Sequence, residues 1–563
     1  MLKIGQAVII PFFILVLLLS GCRSGEEDTR EITSPKTSEK VGVDKQTGEI
    51  TGTQAGSKNE KFDPAITLST VTSQNTAVKF APGDSIDNNP WTRAYEHEYG
   101  IKIKSLWAVE EGKYTQKLNL AISSNDIPDF FMVNGIQFKQ LADAGMIEDL
   151  TELYAKYASD MTKQTLAAGG DMPLKSATLN SRLMAIPFTW TARESAKMLY
   201  VRTDWLNKLG LSEPQTMEDL FKISEAFTKL DPDGNNKNDT YGLALDKEFS
   251  FAESFFNGFH AYNDLWMKDS GGTLVNSTIQ PEMRNALKKL RELFQDGQID
   301  PDFGAKITDK ENELIISSRI GMFFGLPYDA TSQISQNKEL DPKAEWKSFP
   351  LPSIDGQPAK PQVALGVNGY WVVRKGAENA EAIFKLLDFW LNIAYDSKSE
   401  DVYYEYHTRK DGIPYFPLSA IKVYKDYANL ETYYRFNEAF ETNDMSQLTA
   451  NDKGVVDKIS KYKKGDLNNY GWHVMYTKNG GSMHTTDYYK KNNLYMFSEF
   501  VTLPLPTMVK KAAMLEKMQR EAFTKIIMGK SPIEEFDNFV AQWQKLGGDE
   551  MTKEVNEWYR NNR

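Results

Sequence analysis

Ala65-Ile-Thr-Leu-Ser-Thr-Val71 is a short run in which apolar and hydroxyl-bearing residues alternate, the two-residue period of a strand with one buried face. Asn89-Pro90 then opens a helix, with asparagine as cap and proline in the first turn, and Gly100 closes it. Ile101-Lys-Ile103 follows as a strand, a helix covers about Tyr114 to Ser123, Pro128-Asp-Phe-Phe-Met-Val133 is a third strand, and another helix covers about Ile136 to Ala144. Strands and helices in this alternating order predict an α/β fold built on a mostly parallel sheet.

Further along, Thr216-Met-Glu-Asp219 is a capping sequence, and Leu220, Ile223, Phe227 and Leu230 place an apolar stripe on the helix it starts. Directly behind that helix lies Asp231-Pro-Asp-Gly-Asn-Asn-Lys-Asn-Asp-Thr240, the densest oxygen-ligand cluster in the chain. Carboxylate and amide oxygens at alternate places, with a backbone carbonyl between, suit a hard cation the size of calcium. Asp231, Asp233, Asn235, Lys237 through its carbonyl, Asp239 and Thr240 are the candidate ligands, and Gly234 tolerates the backbone angles a tight wrap needs. The loop departs from an EF-hand: Asn236 stands where that motif has glycine, and Gly242 where it has a bidentate glutamate. A polar turn is the competing reading, because Asp-Gly and Asn-Asn pairs are ordinary turn formers.

The N-terminus reads Met1-Leu2-Lys3 and then an apolar run from about Ala7 to Leu19, the pattern of a secretory signal and shorter than a bilayer-spanning helix. Leu19-Ser-Gly-Cys22 resembles the bacterial lipoprotein signal. That resemblance implies loss of residues 1–21 and acylation of Cys22, whose chains would hold the protein on the membrane. Cys22 is the only cysteine in 563 residues, so no disulfide forms within the chain. Residues 22–61 are rich in Ser, Thr, Gly, Lys and Glu with almost no large apolar side chain, and are expected to be a disordered tether. A net charge of −11 argues against a nucleic-acid surface.

Five segments, in order, carry a wider likeness: Leu183-Met-Ala-Ile-Pro-Phe188; Leu199-Tyr-Val-Arg-Thr-Asp-Trp-Leu-Asn-Lys-Leu-Gly210 with Pro214-Gln-Thr-Met-Glu-Asp-Leu220; Gly366 through Val373; Asn379 to Asp388; and Pro506-Thr-Met508 through Trp558. Together they resemble the extracellular solute-binding proteins of carbohydrate ABC transporters, in the lipoprotein branch that serves oligosaccharides or alginate. The resemblance implies a two-lobe, type II periplasmic-binding-protein-like α/β fold whose hinge strands let the lobes close on a sugar. Lobe one would be 62–190 completed by 364–435, and lobe two 191–363 completed by 436–563. It also implies an ABC permease as partner and a monomeric chain, and alginate-binding members of the family carry a calcium loop of the kind seen at Asp231.

Sugars present apolar C–H faces to aromatic rings and hydroxyl edges to polar side chains. In a two-lobe fold the rings near the crossings matter most. The candidates are Trp190 with Arg193 at the first crossing, Tyr370 and Trp371 at the second, Trp266 in an irregular stretch, Tyr328 after a strand end, and Trp472 in the tyrosine-rich late segment. For each ring, packing in a core is the bland alternative. A second function remains in view, a surface-anchored lyase or hydrolase acting on polysaccharide. Against it, the five histidines (His97, His260, His407, His473, His484) show no metal-ligand spacing, and neither a Gly-x-Ser-x-Gly elbow nor a Walker-type loop occurs.

Overall fold

A computed structural model describes residues 61–561. The signal segment, Cys22 and the tether up to residue 60 lie outside the described residues. The described residues form one compact unit, which holds two apolar cores. The first gathers side chains from Leu68 to Ile186, from Tyr370 to Val423, and Leu503. The second gathers those from Ala196 to Val363, from Leu430 to Tyr495, and from Leu515 to Val555.

In the first lobe the strand Ile66–Gln74 pairs in parallel with Ile101–Glu110, Ile66 opposite Ile101. Helix Pro90–Tyr99 joins them, and the Asn89 side chain accepts from the N–H groups of Trp91 and Thr92 while Gly100 ends the helix in the left-handed region. These are the start and stop signals that the sequence carries. The sheet is not mostly parallel, however. Among the described strands this pair alone is parallel. Val367–Val373, arriving from the second lobe, inserts between Phe130–Val133 and Ile186–Thr189 and runs antiparallel to both. A strand that returns from another lobe is under no βαβ constraint, so order along the chain does not predict its direction.

The second lobe is built around Met198–Arg202, every residue of which is buried, paired antiparallel with Met322–Gly325 and Trp346–Phe349. Full burial of its large apolar side chains is worth about 1.5–3 kcal/mol each. The buried Arg202 is satisfied by Asp204, Asp341 and Ser318. Helix Met217–Lys229 starts at Thr216 in a full capping box, and Leu220, Ile223 and Phe227 are buried. Leu230 is not part of that stripe: it is the helix's last cap, 57% exposed. The chain is on the second core by Leu430, earlier than the expected boundary at 435, because helix Ala428–Thr442 begins at the crossing and turns Leu430, Tyr433 and Phe436 inward.

Candidate functional site

Strand Ile186–Thr189 stops at the lobe boundary, and the turn just beyond it is held by single backbone bonds rather than a sheet. The Trp190 N–H donates to the Gly366 carbonyl (2.8 Å) and the Ala192 N–H to the Trp190 carbonyl (2.8 Å). A third pass lies alongside: the Thr189 hydroxyl donates to the Tyr424 carbonyl (2.8 Å) and the Tyr424 N–H to the Thr189 carbonyl (3.2 Å). Gly366 is tied to its place. Its φ is +75°, and a Cβ there would lie 2.7 Å from the Ala192 Cβ.

No strand covers the Trp190 ring, which is 37% exposed. Tyr424 meets it edge-on with ring centroids 4.6 Å apart, and Phe188 at 6.4 Å. Tyr328 reaches in from the second lobe, its hydroxyl 2.9 Å from Ser195 Oγ. Next along the chain, Arg193 donates to Asp426 twice, through its N–H (2.9 Å) and through Nη1 (2.7 Å), and its guanidinium lies 5.1 Å over the Phe497 ring. Glu194 is fully buried and accepts from the N–H groups of Asn429 (2.8 Å) and Leu430 (3.1 Å), capping helix Ala428–Thr442. Burial pushes its carboxyl up to about 7, against the pull of those donors. Two consecutive residues of the first crossing thus fasten the third.

The resulting crevice is lined by Thr165, Met172, Pro173, Trp190, Arg193 and Phe497, together with Tyr424 and Asp426. Its cavity volume is about 10 Å³, room for one water; a sugar ring enters only if the lobes part. A larger hollow of about 390 Å³ lies on the first lobe, walled by Asn119, Asn134, Ile136, Gln137, Gln140 and their neighbours.

Of the rings that the sequence nominates, the structure brings Trp190 and Tyr328 together with Arg193. The others are elsewhere. Trp371, 8% exposed, donates its Nε1–H to the Lys422 carbonyl (2.9 Å), and Tyr370 stacks on Phe138 at 4.6 Å. Both lie in the central strand of their sheet, whose two faces are covered. Trp266 is buried in the second core, and Trp472 packs on that core with the Lys458 ammonium 3.8 Å over its ring. Sequence reasoning misses Tyr424, Asp426 and Phe497, which sit in segments without apolar periodicity and reach the crevice only through the third pass and the late return.

In the acidic loop, the Asp231 carboxylate accepts from the N–H groups of Gly234, Asn235 and Asn236, and Asn235 Nδ2 donates to Asp233 and Asp239. Burial first, then the neighbouring Asp231 and Asp239, hold the Asp233 carboxyl above its ordinary value. Among the described residues no three Asp, Glu, His or Cys side chains are gathered as metal ligands, and the carboxylates of this loop are instead satisfied by its own N–H groups and by Asn235. Thr240 does not belong to this cluster: its hydroxyl donates to the Phe227 carbonyl (2.8 Å) inside the helix–loop junction. The physical reason is that Thr240 already begins the buried segment under the helix.

A model of the family "bacterial extracellular solute-binding protein" matches residues 79–395, more than half of the chain. The chain belongs to the bacterial extracellular solute-binding proteins. It is 23% identical over 528 residues to lipoprotein LipO of Bacillus subtilis (strain 168), covering 90% of this chain and 96% of LipO. It is 23% identical over 516 residues to the polygalacturonan/rhamnogalacturonan-binding protein YtcQ of the same organism, 87% of this chain and 94% of YtcQ. Among solved structures, alginate-binding protein AlgQ2 without calcium ion aligns with a TM-score of 0.59 at 15% identity, over 90% of this chain and 100% of that one. The two cores are therefore the two lobes of a solute-binding protein, and the ring-lined crevice lies where this fold passes from one lobe to the other.

Proposed function

We propose that this solute-binding protein captures an oligosaccharide between its lobes and delivers it to the permease of an ABC importer, as a monomer held at the outer face of the cell membrane by an acylated Cys22. The observation that supports this most is the meeting of Trp190, Tyr424 and Phe497 with hydrogen-bonding groups where the lobes join. Rings of this kind take the C–H face of a sugar while hydroxyl and carboxylate groups take its edges. Similarity along nearly the whole chain to a protein named for polysaccharide binding favours the same class. Ligand binding would shift the molecule between open and closed forms, since the crevice as it stands has room for no more than a water.

The acidic loop takes a structural calcium ion in this reading, held by Asp231, Asp233, Asn235 and Asp239 with the Lys237 carbonyl. Calorimetry on EDTA-stripped protein is expected to show calcium binding and a raised melting temperature on its return; neither signal would remove the ion from the reading. For the main function, titration with a panel of oligosaccharides is expected to show saturable binding and compaction in small-angle scattering, with no new reducing ends. Release of reducing ends would favour the lyase or hydrolase instead, and no response to any glycan would end the carbohydrate reading.

A further inference from the structure

The charges at the crevice are already spent on each other. Among its lining residues Arg193 is the only cation and Asp426 the only anion. Their side chains meet at 2.7 Å, 20% and 5% exposed. The Phe497 ring lies over one face of the guanidinium, and the backbone of Gly169 and Gly170 passes beside its Nη atoms. The hollow on the first lobe has no charged residue in its wall; Thr115, Asn119, Ser123, Asn134, Gln137 and Gln140 supply amides and hydroxyls. Such groups pair with hydroxyls as donors and as acceptors alike.

We infer that the cleft selects uncharged oligosaccharides over uronates, and that Asp426 sets this preference by neutralising Arg193. The inference rests on the carbohydrate reading above and narrows it. Alginate and polygalacturonan carry a carboxylate on each sugar ring, and a site that takes them needs a cation free to pair with it. Here an incoming carboxylate would find the guanidinium already paired through Nη1 with Asp426, whose other oxygen accepts from the Arg193 backbone N–H, and would meet that anion as a like charge in a poorly solvated corner. Asp426 is therefore a specificity-determining position that acts through Arg193.

Calorimetry on the full-length protein purified in detergent tests this with two sets of ligands. One set is neutral: maltotetraose, xylotetraose, mannotetraose and kestose. The other is tetragalacturonate and tetramannuronate. The best neutral ligand is expected to bind at least tenfold more tightly than either uronate. Asp426→Asn, which keeps an oxygen for the Arg193 N–H and removes the charge, is expected to raise uronate affinity at least tenfold relative to neutral affinity. A purely structural role for Asp426 would lower both affinities together. Uronates binding the wild type as tightly as the neutral set, or no gain in D426N, would overturn the inference and leave carbohydrate binding standing. Silence toward both sets would instead overturn the carbohydrate reading, and this inference with it. The wild-type ratio is decisive alone should D426N fail to fold.

Discussion

Trp371 lies on a strand and Trp190 just past the end of the neighbouring one, both rings in contact with Phe188, yet one ring is open and the other is wall. Trp371 belongs to the middle strand of a three-stranded sheet, with Phe130–Val133 on one side and Ile186–Thr189 on the other, and its indole N–H is spent on a backbone carbonyl. Trp190 sits one residue past the end of its strand, where the ladder has stopped and the chain is passing to the other lobe. The difference teaches that nearness to a crossing is not enough to place a ring in a binding site. The ring must also stand where the sheet no longer covers it.

The largest test of this contrast is Trp371→Ala. A buried tryptophan cut to alanine is expected to cost about 3–5 kcal/mol of stability, read as a large fall in the urea midpoint. A fall below 1 kcal/mol would break the comparison by showing Trp371 to be lining after all. Trp266→Ala, buried in the other core, should behave the same way.

Glu194 sharpens the contrast, because it lies in the crossing itself and is buried like a wall residue. Its folded carboxyl keeps a proton up to about 7, whereas the unfolded chain releases it near 4.5. Between those values the folded state binds more protons, so this group's contribution is full below pH 4.5 and is lost as pH rises through 7. Glu194→Gln is expected to remove on the order of 3 kcal/mol of that pH-dependent loss. Melting curves of both proteins from pH 4.5 to 8 check it: parallel curves would show that Glu194 does not titrate in this window.

Gly366→Ala probes how closely the first two passes touch. A positive φ and a Cβ driven against Ala192 should cost about 2 kcal/mol, seen in the urea midpoint; a neutral substitution would mean the crossing spreads without cost. The smallest effect on stability, and the most direct on function, is expected from Trp190→Ala. Oligosaccharide affinity should fall at least tenfold, about 1.4 kcal/mol, with a melting shift far smaller than that of Trp371→Ala. Unchanged affinity would move the sugar away from the crevice.

Much of the local architecture is legible in the sequence. The helix opened at Asn89 and closed at Gly100, the capping box at Thr216, and the strand over Ile66 to Val71 all rest on contacts within a few residues, which local pattern encodes. Trp190, Arg193 and Tyr328 are also recoverable, as ring and charge placed beside crossings. Asp426 is not, since nothing around Tyr424-Lys-Asp426 has the period of a core element, and its partner Arg193 is 233 residues away. Nor is Thr240, whose spacing fits a ligand while its hydroxyl is taken by the Phe227 carbonyl.

By itself, then, the sequence determined the kind of protein: an α/β chain with alternating elements, segments in the order of a two-lobe binder, an N-terminal Leu-Ser-Gly-Cys22 motif, and a loop dense in oxygen donors. Only the tertiary structure decided which rings are open, that the central strand runs antiparallel, and that the one arginine at the crevice is already paired. The physical reason is range. Caps, turns and periodicity are interactions among near neighbours, whereas exposure and charge pairing at a crossing depend on which distant segments the folded chain lays beside one another.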